Sequence, residues 1–198
     1  MKKDIAFFDF DGTITRKDTM IEFIRFAKGN RAYMIGLAML SPWLAGMKAG
    51  VFSNEFAKEK MLGYFFKGMK LEEFDLLCGL FSEKLLPGLI RPDAMVAIGE
   101  HLSKGTEVIV VSASAENWVK QWATRNGLKY LCTKLVCTNG ILTGKIDGLN
   151  CNGAEKVNRI KQVYDPADYE NIYCYGDTSG DKEMLQLANH PFYRVFTQ

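Results

Sequence analysis

Two aspartates near the start of the sequence have a spacing that suits metal-assisted chemistry. Asp9 and Asp11 directly follow an apolar run at residues 5–8, which predicts a buried strand. Residues i and i+2 of an extended chain point to one face, so both carboxylates would enter the same crevice. Such a pair repels itself unless one group is protonated or a cation lies between them, and Mg²⁺ suits oxygen ligands. The alternative is an ordinary turn from a strand into a helix with an aspartate cap.

Polar residues also follow two later apolar strands. Ser112 follows a strand predicted at residues 108–111, and Asp177 and Asp181 follow a strand predicted at residues 172–175. Parallel strands place their carboxyl ends at one edge of a sheet, where these residues would join the first aspartates. Acidic residues at two separate buried strand ends are hard to explain as solvated surface, so they indicate a functional site.

Strands alternate with helices from residue 92 onward, which predicts a three-layer α/β domain with a parallel sheet. Asn139 and Gly140 form a strong hairpin signal within residues 130–145. His190, next to Pro191, is interpreted as a turn residue, and an edge strand is expected at 193–196. The predicted helices cover residues 92–103, 115–125, 154–163 and 179–187.

Residues 15–86 break this alternation and are predicted to form a small helical bundle inserted after the first strand. Asp18 can cap a helix that ends near Lys28, Ser53 can cap a second helix, and a third covers residues 71–85. We therefore expect a core domain formed by residues 1–15 and 87–198, with a helical cap domain formed by residues 16–86.

Within this insert, residues 33–52 are almost entirely apolar, with Lys48 as the only charge. A membrane-spanning helix needs about 20 mostly apolar residues. Because Ser41 and Pro42 interrupt the run, two short helices in an apolar cap are favoured over a membrane span. Peripheral contact with lipid is the alternative.

Composition narrows the class of protein further. The 198 residues are 47% hydrophobic, which is enough for a real core, and the net charge of +2 without a basic run argues against nucleic-acid binding. The N-terminal residues lack the features of a signal peptide, so we expect a cytoplasmic protein. Five cysteines without a C-x-x-C pair predict reduced thiols, and two histidines make a zinc site improbable.

Four short segments, in order, carry a resemblance to a known family. DFDGT at residues 9–13, VIVVS ending at Ser112, Lys156 after the hairpin, and GDTSGD at residues 176–181 resemble the four motifs of the haloacid dehalogenase-like phosphohydrolases. The helical insert resembles the C1-type cap of the phosphoserine-phosphatase-like branch. The resemblance implies a Rossmann-like core and Mg²⁺-dependent hydrolysis of phosphomonoesters through an aspartyl-phosphate.

The resemblance also assigns roles to individual residues. Asp9 would be the nucleophile, Asp11 the general acid and base, and Ser112 and Lys156 the groups that hold the phosphoryl oxygens. The Mg²⁺ ligands would be Asp9, the backbone carbonyl of Asp11 and Asp177, with Asp181 orienting the metal site or Lys156.

The cap would select the substrate. Asp18 matches a glutamate that reads the amine in phosphoserine phosphatases, and Lys60 is the best match to their carboxylate-binding arginine. Ala113 and Ser114 stand where Gly-Gly is typical. A small phosphorylated metabolite is expected as the substrate. A phosphatidylglycerophosphate-type lipid is the first alternative, and a phosphomutase or a non-catalytic phosphate-binding module are others. No oligomeric state is predicted.

Overall fold

The computed structural model describes residues 3–196, and a six-stranded sheet lies at its centre. The strand order is β4-β3-β2-β1-β5-β6, with parallel pairing throughout except between β3 and β4, which form the predicted hairpin. The strands are β1 Lys3–Phe8, β2 Glu107–Ala115, β3 Lys129–Thr138, β4 Ile141–Asp147, β5 Tyr169–Gly176 and β6 His190–Tyr193.

Strand β1 is buried on both faces, which places its end deep in the molecule. Ile5 and Phe7 point into one hydrophobic cluster, and Ala6 and Phe8 point into the other. The first cluster also contains residues of α6 and α7, while the second contains residues of α4, α5 and the helical insert. The predicted three-layer α/β fold is therefore confirmed. The helices are α1 Thr19–Lys48, α2 Asn54–Phe66, α3 Leu71–Lys84, α4 Pro92–Ser103, α5 Glu116–Arg125, α6 Ala154–Val163 and α7 Lys182–Leu187.

The helical insert, α1 to α3, packs around the buried ring of Phe23. This ring lies 5.4 Å from the ring centroids of Phe66, Phe74 and Phe81, which belong to α2 and α3. On its other side it stacks on Trp118 of α5 at 5.1 Å. The aromatic cluster thus joins the insert to the helix that follows β2.

The insert is also joined to the β3–β4 hairpin by main-chain hydrogen bonds. Gly68 N donates to Leu142 O at 2.9 Å, Leu142 N donates to Met69 O at 2.9 Å, and Leu71 N donates to Gly140 O at 2.8 Å. The segment between α2 and α3 therefore extends the sheet beside β4.

Helix α1 corrects the prediction that Ser41 and Pro42 divide the apolar stretch. The helix continues through Pro42. Proline cannot donate to the carbonyl of Ala38, but the Ser41 hydroxyl donates to that carbonyl at 2.7 Å and replaces the missing bond. The helix is instead interrupted at Gly29, whose φ of 82° and ψ of 157° are not helical. The first helix of the insert thus ends near Lys28, as predicted.

The C-terminal strand also differs from the prediction. Strand β6 begins at His190 rather than at Tyr193, so His190 is a strand residue and not a turn residue. Pro191 is tolerated because β6 is an edge strand, where a missing donor can face solvent. Within residues 3–196 no helix is sufficiently long and apolar to cross a membrane. All five cysteines are free.

Candidate active site

A single buried lysine joins the ends of three segments that are distant in sequence. Lys156, near the start of α6, is 1% exposed. Its Nζ donates to Asp9 Oδ1 at 2.5 Å, to Asp181 Oδ1 at 2.6 Å and to the carbonyl of Val111 at 2.8 Å. These groups follow β1, follow β5 and lie in β2, respectively. The sequence-predicted residues Asp9, Lys156 and Asp181 are thus in direct contact.

Asp177 and Ser112 lie at the same edge of the sheet. Asp177 accepts a hydrogen bond from Thr13 Oγ1 at 3.1 Å, and Ser112 is 1% exposed at the wall of a cavity that Asp9 and Lys156 also line. Strand β2 continues beyond Ser112 to Ala115, so this serine lies within the strand rather than after it.

The charges of this cluster are strongly coupled. Burial raises the pKa of Asp9 to about 8, although the charge of Lys156 opposes this effect. Burial also raises the pKa of Asp177. Burial acts in the same direction on Asp181, but Lys156 and hydrogen bonds from Thr178 outweigh it and lower the pKa. Burial alone would lower the pKa of Lys156, and the two carboxylates raise it, so this lysine stays protonated.

The acidic residues have a donor set that fits a hard divalent cation. Asp9, Asp177 and Asp181 each offer a carboxylate oxygen, and these oxygens all lie within 4.8 Å of one another. When all three carboxyl groups are ionised, one lysine cannot neutralise them. Gly12, with φ of 84°, lets the chain pass close to this cluster, because a Cβ there would lie 2.2 Å from Asp177 Oδ2. These observations fit Mg²⁺, whose preferred ligands are carboxylate and carbonyl oxygens.

The side chain of Asp11 belongs to a different set of contacts. Its Oδ1 accepts a hydrogen bond from the backbone N–H of Thr19 at 2.7 Å, and its Oδ2 accepts one from Ser114 Oγ at 2.5 Å. The carboxylate cluster of Asp9, Asp177 and Asp181 does not include Asp11.

A buried chain of hydrogen bonds leads away from Asp11. Trp118 Nε1 donates to Thr19 Oγ1 at 3.0 Å, and Thr19 Oγ1 lies 3.0 Å from Ser114 Oγ. Because the single hydroxyl hydrogen of Ser114 is donated to Asp11, Thr19 is the donor in its contact with Ser114. Sequence reasoning missed this chain. The only signal in the sequence was Ser114 itself, which stands where glycine is typical of phosphoserine phosphatases.

The cavity beside these residues has a volume of about 350 Å³ and two kinds of wall. The polar end contains the predicted catalytic residues. The opposite wall is apolar and is formed by α1 and α2, through Met20, Ile21, Tyr33, Leu37, Leu44, Met47, Ala57 and Met61.

Of the two predicted substrate-reading residues, Asp18 lines this cavity. Its carboxyl group caps α1 by accepting from Ile21 N at 3.0 Å. Partial burial, followed by the charge of Asp11, raises the pKa of Asp18 to about 6.

Lys60, the second predicted substrate-reading residue, does not line this cavity, whereas Lys58 does. Lys60 Nζ lies 5.6 Å and 5.0 Å from the ring centroids of Trp43 and Phe56, outside the cavity. Lys58 lines the cavity, donates to the carbonyl of Ala113, and donates to Asn150 Oδ1 at 3.1 Å. Burial lowers the pKa of Lys58. Lys58 lies three, four and seven residues before the buried Met61, Leu62 and Phe65, so helical periodicity places it on the buried side of α2, a signal that sequence reasoning missed.

Comparisons with known proteins show the family to which the chain belongs. Residues 6–186 match the family model described as haloacid dehalogenase-like hydrolase. Protein CicA of Caulobacter vibrioides is 37% identical over 193 residues, which cover 96% of this chain and 85% of that protein. The probable phosphatase Rv3661 of Mycobacterium tuberculosis is 25% identical over 191 residues, which cover 93% of this chain and 66% of that protein.

A solved structure of phosphoserine phosphatase, with an analogue of its phospho-aspartyl intermediate, has a similar fold. The TM-score is 0.62 at 22% identity, and the match covers 95% of this chain and 84% of that structure. The family model spans most of the chain and includes every residue of the carboxylate cluster. The chain therefore belongs to the haloacid dehalogenase-like hydrolases, and its fold is similar to that of the phosphoserine phosphatases within them.

Proposed function

We propose that the chain is a Mg²⁺-dependent phosphomonoester hydrolase of the haloacid dehalogenase type that acts through an aspartyl-phosphate. The observation that carries this proposal is the contact of Lys156 with both Asp9 and Asp181 beside the third carboxylate, Asp177. This arrangement combines a nucleophile, a fixed positive charge and a set of cation ligands in one buried site. The names of the curated relative described as a probable phosphatase and of the phosphoserine phosphatase structure agree with this activity.

In the first step, a carboxylate oxygen of Asp9 attacks phosphorus, and the bond from phosphorus to the leaving oxygen breaks. Asp11 gives its proton to that departing oxygen. In the second step, water attacks the phosphorus of the aspartyl-phosphate and gives a proton to Asp11. Inorganic phosphate then leaves, and Asp9 is regenerated.

The charges of the phosphoryl group are met by residues that are already in place. Lys156 would exchange one of its three present hydrogen bonds for a phosphoryl oxygen, and the hydroxyl of Ser112 would donate to a second one. Asp9, Asp177 and the backbone carbonyl of Asp11 would hold Mg²⁺, and Asp181 would orient Lys156. When bound, Mg²⁺ would reduce the repulsion between the anionic nucleophile and the anionic phosphate.

Two regions of the chain would have different roles, one in catalysis and the other in the choice of substrate. Residues 1–15 and 87–198 would form the catalytic domain, and residues 16–86 would form the cap that contacts the remainder of the substrate. The first candidate substrate is a small phosphorylated metabolite, with Asp18 and Lys58 as polar contacts beyond the phosphate.

A lipid phosphate is a second candidate, and the apolar wall of the cavity favours it. Leu37, Leu44 and Met47 face the same space as the catalytic residues. The amine and carboxylate of phosphoserine would make few favourable contacts with an apolar wall. An acyl chain could pack against it.

The experiment that tests the proposal is a screen of phosphate esters with Mg²⁺, in which phosphoserine and phosphatidylglycerophosphate are compared directly. Release of inorganic phosphate that EDTA abolishes supports the proposal. Asp9→Asn is the control, since a non-catalytic binding module would function equally well with asparagine. Transfer of phosphate to a second position of the substrate, stimulated by added bisphosphate, would identify a phosphomutase instead.

A further inference from the structure

The second half of α1 exposes an unusually apolar surface. We define the outer face of α1 as its exposed apolar residues after Gly29. Met34 is 58% exposed, and Ile35 and Met39 are each 61% exposed. Their neighbours on the same side are small or apolar too, so the outer face is formed by Met34, Ile35, Ala38, Met39, Pro42 and Ala45.

The turn after α1 continues this surface. Val51 is 70% exposed and Phe52 is 37% exposed. An exposed helix of a soluble domain normally directs charged residues to solvent, and a contiguous apolar patch usually marks an interaction site. The part of the chain that the structure describes provides no element that covers the outer face.

The charge of this region indicates what would cover it. No aspartate or glutamate occurs between Glu22 and Glu55, whereas Arg25, Lys28, Arg31 and Lys48 all lie in that interval. An exposed apolar surface on a stretch whose charged residues are all basic is complementary to the surface of an anionic bilayer. A symmetric dimer through the same face would bring the basic residues of two copies together, which is unfavourable.

The opposite side of the same helix lines the cavity. Tyr33, Leu37, Leu44 and Met47 face the catalytic residues, at positions that alternate with those of the outer face along α1. Helix α1 therefore has two apolar sides, one that faces solvent and one that faces the cavity. Because no described helix can span a membrane, the contact would be peripheral, with α1 lying along the interface.

We propose that the outer face of α1 binds the surface of an anionic phospholipid bilayer. Membrane binding by this surface does not depend on the proposed catalytic function. The Asp9→Asn variant, which tests catalysis, should bind vesicles as the wild type does. Failure of one proposal would therefore leave the other intact.

The test is flotation of the full chain with vesicles of phosphatidylcholine mixed with phosphatidylglycerol, and with vesicles of phosphatidylcholine alone. The wild type should float with the anionic vesicles, and added salt should weaken this binding because exposed charges are screened. The double variant I35E/M39E should reduce the bound fraction by about tenfold, because charged side chains are costly at the apolar side of an interface.

The chain offers a matched control in V96E/V163E. Val96 and Val163 are also each 61% exposed, but they lie on α4 and α6, away from the insert. This variant should float as the wild type does, and circular dichroism should show that both double variants are folded. Absence of wild-type binding to anionic vesicles, or equal loss in both double variants, would overturn the proposal.

Light scattering after gel filtration tests whether a second copy of the chain covers the outer face instead. A wild-type dimer that I35E/M39E converts to a monomer would assign the outer face to a second copy of the chain and overturn the membrane proposal. A wild type that remains monomeric in solution but floats with anionic vesicles would support it.

Discussion

The two ends of the cavity are built in opposite ways. At the polar end, Lys156, Asp9 and Asp181 are buried and hold one another through short hydrogen bonds. At the apolar end, the wall is formed by apolar side chains of α1 and α2. The polar end permits few substitutions, because removal of one charged side chain leaves its buried partner without a counterion. The apolar end can change its shape through exchanges of similar hydrophobic residues. We therefore expect the residues of the polar end to tolerate fewer substitutions than the residues that would contact the remainder of the substrate.

The largest effect is expected at Asp9, the proposed nucleophile. Asp9→Asn should reduce kcat by about 10³-fold or more for every phosphate ester, because an amide cannot form the aspartyl-phosphate. Steady-state release of phosphate measures this loss. Retained turnover would show that the polar end is not catalytic and would remove the contrast between the two ends.

Lys156→Met should also abolish activity, and it should destabilise the fold. Loss of the ammonium leaves two buried carboxylates without their cation, which costs about 3–5 kcal/mol in unfolding free energy. Urea unfolding measures this change. The double variant K156M/D181N should regain part of the stability and none of the activity. Equal stability of wild type and K156M would contradict the proposed charge balance.

Ser114→Ala should have an intermediate effect that depends on the leaving group. Without the hydroxyl that donates to Asp11, transfer of a proton to an alkoxide leaving group becomes less efficient, and kcat for alkyl phosphates should fall by about tenfold to a hundredfold. p-Nitrophenyl phosphate has a good leaving group and should lose much less.

Ser103→Ala is the matched control for this variant, because its hydroxyl donates to Glu100 O at 2.8 Å on α4, far from the cavity. It should leave both substrates unaffected. An equal loss for alkyl and aryl phosphates in Ser114→Ala would show that Ser114 has a general structural role rather than a positioning role toward Asp11.

The smallest effect is expected at the apolar end. Leu37→Asn should raise KM by about tenfold for a phosphate ester with an acyl chain, because it places an amide on the wall that the chain would cover. KM for phosphoserine should change little. Leu76→Asn, at a residue that is 64% exposed on α3, is the control. Similar changes for both substrates would show that the wall does not distinguish them.

The polar end was largely predictable from the sequence, because it follows from local patterns and one topological rule. Apolar runs that end in Asp9 and Asp177 predict strands, and parallel strands bring such ends together. Lys156 was different: nothing local separates it from a surface lysine, and only the family resemblance identified it.

The remaining features depend on contacts between distant residues. Ser114 and Thr19 are 95 residues apart in sequence, so their hydrogen bond to each other was not visible in any local pattern. Lys58, by contrast, could have been separated from Lys60, because helical periodicity places Lys58 on the buried side of α2. The continuation of α1 through Pro42 depended on a single hydroxyl, that of Ser41, which satisfies the free carbonyl.

The position of Lys156 has a consequence for how the protein is made. During synthesis, Asp9 emerges from the ribosome 147 residues before the cation that neutralises it. A nascent chain that has completed β1 and β2 carries Asp9, but the carboxylate has no counterion from α6. The site can therefore assemble only after Lys156 and Asp181 have also been translated, so a product that terminates before them would lack the complete charge cluster.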